Sequence, residues 1–278
     1  MTPAMKSRIC GLVFAALALC GSARAAVVPL QQMLASSEWE ELKGNHFIVY
    51  YNRNSDRHVA ETVLRRAEDY YRRIGEEIGY TRYSNFWTWE ERVKIVLFAD
   101  QASYVKTTGQ PDWSVGYANR DTQLFESRSI VSYNQQSGFY ESILPHEISH
   151  LILRDFIGEE IPVWFDEGVA QLQEADKSEI AQQMMSILAK RGQTVPLDTL
   201  VRWNIRKEQD QMKIKVFYAE SLSVVEFLIG QYGSQDFGRL CRQMRDGKNF
   251  EEALRSVYTT RMDSQAALEA KWLKRMRQ

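Results

Sequence analysis

The length and composition of the chain limit what the protein can be. It has 278 residues, of which 44% are hydrophobic and 12% are aromatic, so it can bury one substantial core, with or without a smaller subdomain. Lysine and arginine total 35 and aspartate and glutamate total 36, which gives a net charge of −1. This balance argues against nucleic-acid binding, which requires a strong basic excess.

The first 25 residues predict a secretory signal peptide. Lys6 and Arg8 precede the apolar run ICGLVFAALALCGSA, and an A-x-A cleavage site ends at Ala25. The apolar run is short for a membrane span, although an uncleaved N-terminal anchor is an alternative. Lipidation at Cys20 is disfavoured because Leu19 stands where a small residue is needed. We therefore expect an exported, periplasmic protein, with secretion or a lipid anchor as less favoured alternatives.

Cleavage would leave one domain over residues 26–278, with Cys241 as its only cysteine. A single cysteine forms no internal disulfide, so the hydrophobic core must stabilise the domain. No later segment is apolar enough to cross a bilayer. We therefore expect no stable membrane span after cleavage.

The predicted strands come first along the chain and most of the predicted helices follow. Short β-rich runs predict strands at 46–51, 93–98 and 129–133, with a fourth around 113–119. Apolar periodicity predicts helices at 58–78 and near 143–156, 162–175, 178–190, 215–231, 235–246, 249–257 and 264–276. This order predicts an α+β fold with a small N-terminal mixed sheet, a histidine-bearing helix and a helical C-terminal part. We place the sheet and the histidine-bearing helix within 44–175 and the helical part within 176–278.

The stretch LPHEISHLIL, residues 144–153, carries two of the four histidines of the chain. His146 and His150 lie about one helical turn apart, so both imidazoles can reach one ion from the same helix face. HExxH on a helix is the arrangement of zinc hydrolases, in which Glu147 would act as general base toward a zinc-bound water. The alternative is a core-flanking helix that has two histidines on its polar edge by chance. Zinc is inferred from the ligand type, and another divalent ion could use the same ligands.

A second motif, IPVWFDEGVAQLQE at 161–174, offers a third ligand. A catalytic zinc takes three protein ligands and keeps one position open. Glu167 opens a predicted helix, where the helix dipole would also favour an ordinary surface acid. Because HExxH precedes it, we favour Glu167 as the third ligand. Asp166 and Glu174 are candidates for orienting the histidines, but spacing alone does not choose between them.

HEISH followed by PVWFDEGVA resembles the gluzincin (peptidase MA-like) zinc metallopeptidases, in particular the aminopeptidase-like branch and its small bacterial relatives. That branch carries HExxH, a short spacer and then W-x-x-E-G-x-A, in which the glutamate before glycine is the third zinc ligand. The resemblance implies zinc ligation by His146, His150 and Glu167. It also implies that Glu147 is the general base. The spacer is slightly shorter than in the large aminopeptidases, which favours a small relative.

The resemblance also implies a catalytic role for Tyr218. The aminopeptidase-like branch stabilises the oxyanion with a tyrosine in a Y-x-K-G-x-x-V-L-x-x-L helix, and YAESLSVVEFL at 218–228 is similar, with Ser221 in the glycine position. Thermolysin-like enzymes use a downstream histidine instead, but no histidine follows His150. The alternative for Tyr218 is a core tyrosine on an amphipathic helix.

Residues 111–121, PDWSVGYANRD, resemble the edge strand that precedes the zinc helix in small relatives. An exposed edge can pair with an extended peptide, although a surface hairpin is nearly as good an interpretation. The sequence contains no G-x-M-E-N type of segment to recognise a free substrate amino terminus, so aminopeptidase specificity is not implied. We interpret His46 and His58 as structural or surface residues.

We therefore expect an exported zinc metallopeptidase, with Zn²⁺ as cofactor and a peptide or protein as substrate. Glu147 and Tyr218 would be its catalytic residues. Two alternatives share most of these features: a catalytically silent, metal-stabilised binding module, and a zinc amidase that acts on cell-wall peptides. The sequence leaves the oligomeric state open.

Overall fold

The structure, a computed structural model, describes residues 30–55, 57–79, 87, 91–110, 116–119, 128–133, 138–158 and 160–278. The predicted signal peptide at 1–25 lies outside the described residues. So do residues 111–115 and 120–121 of the predicted edge segment.

A five-stranded mixed sheet forms the N-terminal part of the described chain. A short helix, α1 (Leu30–Leu34), precedes the strands β1 (Trp39–Lys43), β2 (Phe47–Asn52), β3 (Val93–Phe98), β4 (Gly116–Asn119) and β5 (Ser129–Tyr133). Their order across the sheet is β1-β2-β3-β5-β4. The three central strands run parallel, and each outer strand is antiparallel to its neighbour. The predicted α+β class and its mixed sheet are confirmed.

Apolar side chains cover both faces of this sheet, because successive residues of a strand point to opposite sides. Phe47 and Ile95 belong to the main core, whereas Val96 belongs to a second, smaller cluster. Helix α2 (Arg57–Ile78) packs on the main-core face, and α3 (Gln101–Thr108) packs on the other. Burial of both faces is the usual condition of parallel strands.

The rest of the described chain is helical. A π-helical turn at Phe139–Ile143 leads into α4 (Leu144–Ile157), and the following helices are α5 (Val163–Leu172), α6 (Lys177–Arg191), α7 (Leu197–Arg202), α8 (Gln211–Tyr232), α9 (Ser234–Arg245), α10 (Phe250–Tyr258) and α11 (Gln265–Met276). The predicted C-terminal helices are present, with ends that differ by up to a few residues. The elements α1, β1, α3 and α7 were not predicted. Within the described ranges, no helix has both the length and the apolar character needed to cross a membrane.

Helix α4 lies in the interior of the protein. Pro145 stands in its first turn, where a missing N–H costs little, and Gly158 follows its last turn with a φ of 114°. Every residue from 144 to 153 is buried. The helix packs against α2 and α5 and approaches β4 at the edge of the sheet. Its two histidines are therefore enclosed by protein, which argues against the alternative that they lie on a polar edge.

Helices α5 and α8 approach each other closely at Gly168. A Cβ atom at this position would lie 2.5 Å from the carbonyl oxygen of Ser221 and 2.8 Å from Val225 Cγ2. Cβ atoms do not come this close to backbone, and the backbone of α8 cannot rotate away as a side chain would. Glycine at position 168 therefore permits the observed distance between the two helices.

We predict that Gly168→Ala lowers the free energy of unfolding by about 1–3 kcal/mol, the usual cost of overpacking a core. The matched control is Gly230→Ala on α8, where no atom lies within 4 Å of the added Cβ. Alanine there should raise the free energy of unfolding by about 0.5–1 kcal/mol, because it is the better helix former. Chemical denaturation measures both variants, and a Gly168→Ala variant as stable as the wild type would contradict the close contact.

Candidate metal centre

Three side chains from two helices converge in the interior. Helix α4 supplies His146 and His150, α5 supplies Glu167, and all three residues are buried. The two Nε2 atoms lie 3.1 Å apart. Glu167 Oε2 lies 3.8 Å from each of them. The structure thus brings together the three residues that the sequence analysis favours as ligands.

The spacing of these three atoms fits a metal ion. Bonds of about 2.0–2.1 Å in a tetrahedral arrangement place ligand atoms roughly 3.4 Å apart, and the observed separations of 3.1 and 3.8 Å lie on either side of that value. Glu167 Oε2 is buried without a hydrogen-bond partner, which is costly unless a cation or a proton satisfies it. The three residues can therefore hold a metal ion.

The outer nitrogen of each histidine binds a carboxylate. His146 Nδ1 donates to Glu174 Oε1, and His150 Nδ1 donates to Asp166 Oδ1, each at 2.8 Å. A carboxylate accepts hydrogen bonds, so Nδ1 carries the ring proton and the Nε2 lone pair is available to a metal. Spacing alone did not decide which acid orients a histidine. In the structure each acid orients one of them.

The turn after α5 brings Glu174 to the first histidine. The N–H of Ala175 donates to the carbonyl of Glu141 in the π-helical turn at 3.0 Å, which ties the end of α5 to the start of α4. The side chain of Gln173 binds two side chains of α2. These contacts fix the chain on both sides of Glu174.

Two aromatic residues before Glu167 anchor α5 to the C-terminal helices. Phe165 stacks on Phe237 of α9 with the ring centroids 5.4 Å apart. Trp164 meets Phe250 of α10 edge-on at 4.9 Å. With these side chains directed to α9 and α10, Glu167 faces α4. The alternative that Glu167 is a surface acid is wrong, because the residue is only 5% exposed.

Four carboxylates lie buried around the two histidines: Glu147, Asp166, Glu167 and Glu174. Arg154 contacts Asp166 at 2.9 Å, and Lys177 contacts Glu174 at 3.3 Å. Burial of several carboxylates is costly unless cations balance their charge, so this environment also suits a metal ion.

Burial and the charges of these neighbours perturb the pKa values of the group. Burial alone would lower the pKa of His146, but the hydrogen bond and charge of Glu174, together with the charges of Glu147 and Glu167, raise it to about 9. Burial raises the pKa of Glu167, and the histidines offset this effect only in part. The raised pKa of His146 favours an extra proton on this residue in metal-free protein at neutral pH.

Glu147 and Tyr218, the predicted catalytic residues, lie on two different helices. Glu147 is buried on α4, whereas Tyr218 is half-buried on α8 and packs against the main core. Gln171 of α5 connects α5 to α8, because its Nε2 donates to the backbone carbonyl of Tyr218 at 3.1 Å and to that of Glu167 at 3.3 Å. The helix of the third ligand is thus bonded to the helix of the tyrosine.

Three neighbours of the ligands were not predicted from the sequence: Gln171, Arg154 and Lys177. Gln171 and Arg154 each stand four residues after a ligand, which is the spacing of neighbours on a helix, whereas Lys177 follows Glu174 by three residues across the turn between α5 and α6. That spacing is a weak signal, because it becomes informative only once the preceding residue is known to be functional.

The other two histidines lie outside the metal group. His46 Nδ1 contacts Glu68 Oε2 at 2.6 Å, and its ring stacks on Tyr71. The His58 side chain is 77% exposed. Both positions agree with the structural or surface interpretation. Cys241 is a free, buried cysteine.

We predict that metal affinity rises with pH. Below about pH 9 the metal must displace the proton of His146, so the apparent Kd for Zn²⁺ should fall about tenfold per pH unit between about pH 6.5 and 8.5. Competition with a chelator of known pH dependence measures this slope. Glu174→Gln removes the main group that raises the pKa of His146. The apparent Kd of this variant should therefore stop changing with pH at a lower pH than that of the wild type. A Kd that is independent of pH in the wild type would contradict the prediction.

Comparison with known proteins agrees with this geometry. A search of the curated proteins finds no match. The family model described as Peptidase MA superfamily matches residues 101–277, which is more than half of the chain and includes the whole candidate metal centre. The protein therefore belongs to the Peptidase MA superfamily, a metallopeptidase-like family.

Proposed function

We propose that the protein is a gluzincin-type zinc metallopeptidase, related to the aminopeptidase-like branch, that hydrolyses peptide bonds after export to the periplasm. The observation that carries the proposal is the buried triad of His146, His150 and Glu167, in which Glu167 Oε2 has no hydrogen-bond partner and each histidine is oriented by its own carboxylate. Membership of the superfamily supports peptides as the class of substrate.

The triad would hold the ion and leave one position for substrate and water. A zinc ion there would polarise the peptide carbonyl and make a water molecule more acidic. Glu147, which directly follows the first histidine on α4, accepts the proton of the attacking water and passes it to the leaving amine. The carboxylate is buried, so bulk water does not compete for this proton.

Tyr218 stabilises the negative charge that develops on the carbonyl oxygen. Its hydroxyl donates a hydrogen bond to the oxyanion that forms as the carbonyl is attacked. Support comes from the packing of α8 on α5 at Gly168 and from the Gln171 bond to the Tyr218 carbonyl. Both contacts hold the tyrosine's helix beside the helix of the third ligand.

The edge of the sheet offers a place for the substrate backbone. β4 is the last strand of the described sheet on this side and approaches α4. An extended peptide that pairs with residues 116–119 would pass along the helix that carries the histidines.

Export rests on the signal-like segment at residues 1–25. N-terminal sequencing of the protein from a periplasmic fraction tests this point, since the mature chain should begin at Ala26. A chain that retains Met1 in the cytosol would contradict it.

We predict that Glu147→Gln retains bound zinc but loses at least about 10²-fold in peptide hydrolysis, because it removes the general base without changing a ligand. Cleavage of a mixed peptide library, read by mass spectrometry, measures activity, and zinc content is measured on the same samples. Glu141→Gln is the matched control, since this exposed acid of the π-helical turn lies outside the proposed machinery.

Tyr218→Phe, tested beside these variants, should also keep zinc and lose about 10²–10³-fold in kcat, the usual effect of losing one oxyanion donor.

Full activity of Glu147→Gln would contradict the assigned mechanism. A wild-type protein that binds zinc but cleaves no member of the peptide library, including cell-wall peptides, would favour the silent binding module instead.

A further inference from the structure

The carboxylate behind His150 is held from two sides. Asp166 Oδ1 accepts from His150 Nδ1, and Asp166 Oδ2 accepts from Arg154 Nη2 at 2.9 Å and from Arg154 Nε at 3.2 Å. Arg154 and His150 are four residues apart on α4, so their side chains lie on the same face of the helix. Both oxygens of one carboxylate on α5 are thus bound by α4.

Burial makes this arrangement costly to disturb. The side chain of Asp166 is 6% exposed and that of Arg154 is 18% exposed. Charge-assisted hydrogen bonds are stronger than neutral ones, and a buried carboxylate that loses its cation keeps its desolvation cost. Asp166 is therefore confined to one orientation, and the bond to Nδ1 transmits that orientation to the ring of His150.

The histidine on the other side of the site has weaker support. Lys177 contacts Glu174 Oε2 at 3.3 Å and is 21% exposed. A lysine ammonium is a compact charge without the planar fork of arginine, so it restrains the carboxylate less. The comparison singles out Arg154 as the stronger restraint.

We propose that Arg154 is a positioning residue for the metal ion. It acts through Asp166 and fixes the direction of His150 Nε2, so that less ordering is required when the metal binds. This inference rests on the proposed metal site and adds to it a residue that touches neither the metal nor the substrate.

A second arginine–aspartate pair provides a matched control. Arg128 binds Asp155, which also stands on α4, and the two side chains are 17% and 7% exposed. Asp155 also accepts a hydrogen bond from the indole of Trp87. The two pairs therefore resemble each other in chemistry and burial, but Arg128 contacts Asp155, Glu91 and Trp87 and not the carboxylate that binds a histidine.

The experiment measures Zn²⁺ affinity and thermal unfolding of the purified full chain. Arg154→Gln should weaken zinc binding by roughly 10–100-fold, the usual effect of losing an outer-shell partner. Arg154→Lys, which keeps the charge but loses the fork, should give an intermediate affinity. Arg128→Gln should lower the unfolding temperature and leave zinc affinity unchanged. Because Arg154 acts through Asp166, Arg154→Gln should have little further effect in an Asp166→Asn background.

Zinc affinity equal to that of the wild type in Arg154→Gln would overturn the inference while leaving the metal site intact. If that variant does not fold, unchanged affinity in Arg154→Lys would have the same meaning. Equal losses of affinity in Arg154→Gln and Arg128→Gln would reduce the role of Arg154 to general stability and overturn it too. A wild-type chain that binds no zinc would overturn the metal site and this inference together.

Discussion

The site is governed by two lone pairs that face each other inside the protein. His146 Nε2 and His150 Nε2 lie 3.1 Å apart, and hydrogen bonds to Glu174 and Asp166 hold the ring protons on the opposite nitrogens, Nδ1. Two lone pairs at this distance repel each other unless a cation or a proton lies between them. Glu167 Oε2, which is buried without a hydrogen-bond partner, has the same requirement. One divalent cation would satisfy all three atoms. Without it, Glu174, Glu147 and Glu167 outweigh the effect of burial and raise the pKa of His146.

The surrounding elements together limit the freedom of the three ligands. Helix α4 sets the separation of the two histidines through its own geometry. Helix α5 is positioned by the aromatic contacts of Trp164 and Phe165, and its distance from α8 depends on Gly168. The Ala175 bond to the π-helical turn joins the far end of α5 to the start of α4. Preorganisation of this kind would allow a metal to bind without rearrangement of the backbone.

The sequence predicts the histidine pair well because helical spacing alone brings His146 and His150 together. Glu167 could be favoured only in combination with the preceding HExxH motif, and the resemblance supported it, since its place depends on how α5 packs against α4. The sequence offered Asp166 and Glu174 as candidate partners of the histidines but could not assign them, because Glu174 reaches His146 through a turn fixed by a tertiary hydrogen bond. The α+β class and the central strands were predictable, because continuous apolar runs mark buried strands.

The elements that were missed carry weak local signals. β1, with the sequence WEELK, has three charged residues and forms through pairing with β2 rather than through an apolar pattern. α3 buries only two residues, and its ends are defined by the Asp100 cap and by Gly109. α7 is six residues long and also buries two of them. In all three, tertiary contacts or caps stabilise an element whose periodicity is too short to detect.

The central claim is that the chain binds one metal ion through His146, His150 and Glu167, and the most direct test is the metal content of the purified protein by mass spectrometry. The wild type should contain about one zinc ion per chain. A His146→Ala, His150→Ala double variant should contain none, whereas a His46→Ala, His58→Ala double variant should keep the metal. Absence of metal from the wild type after zinc addition, or equal zinc in the first variant and the wild type, would contradict the account.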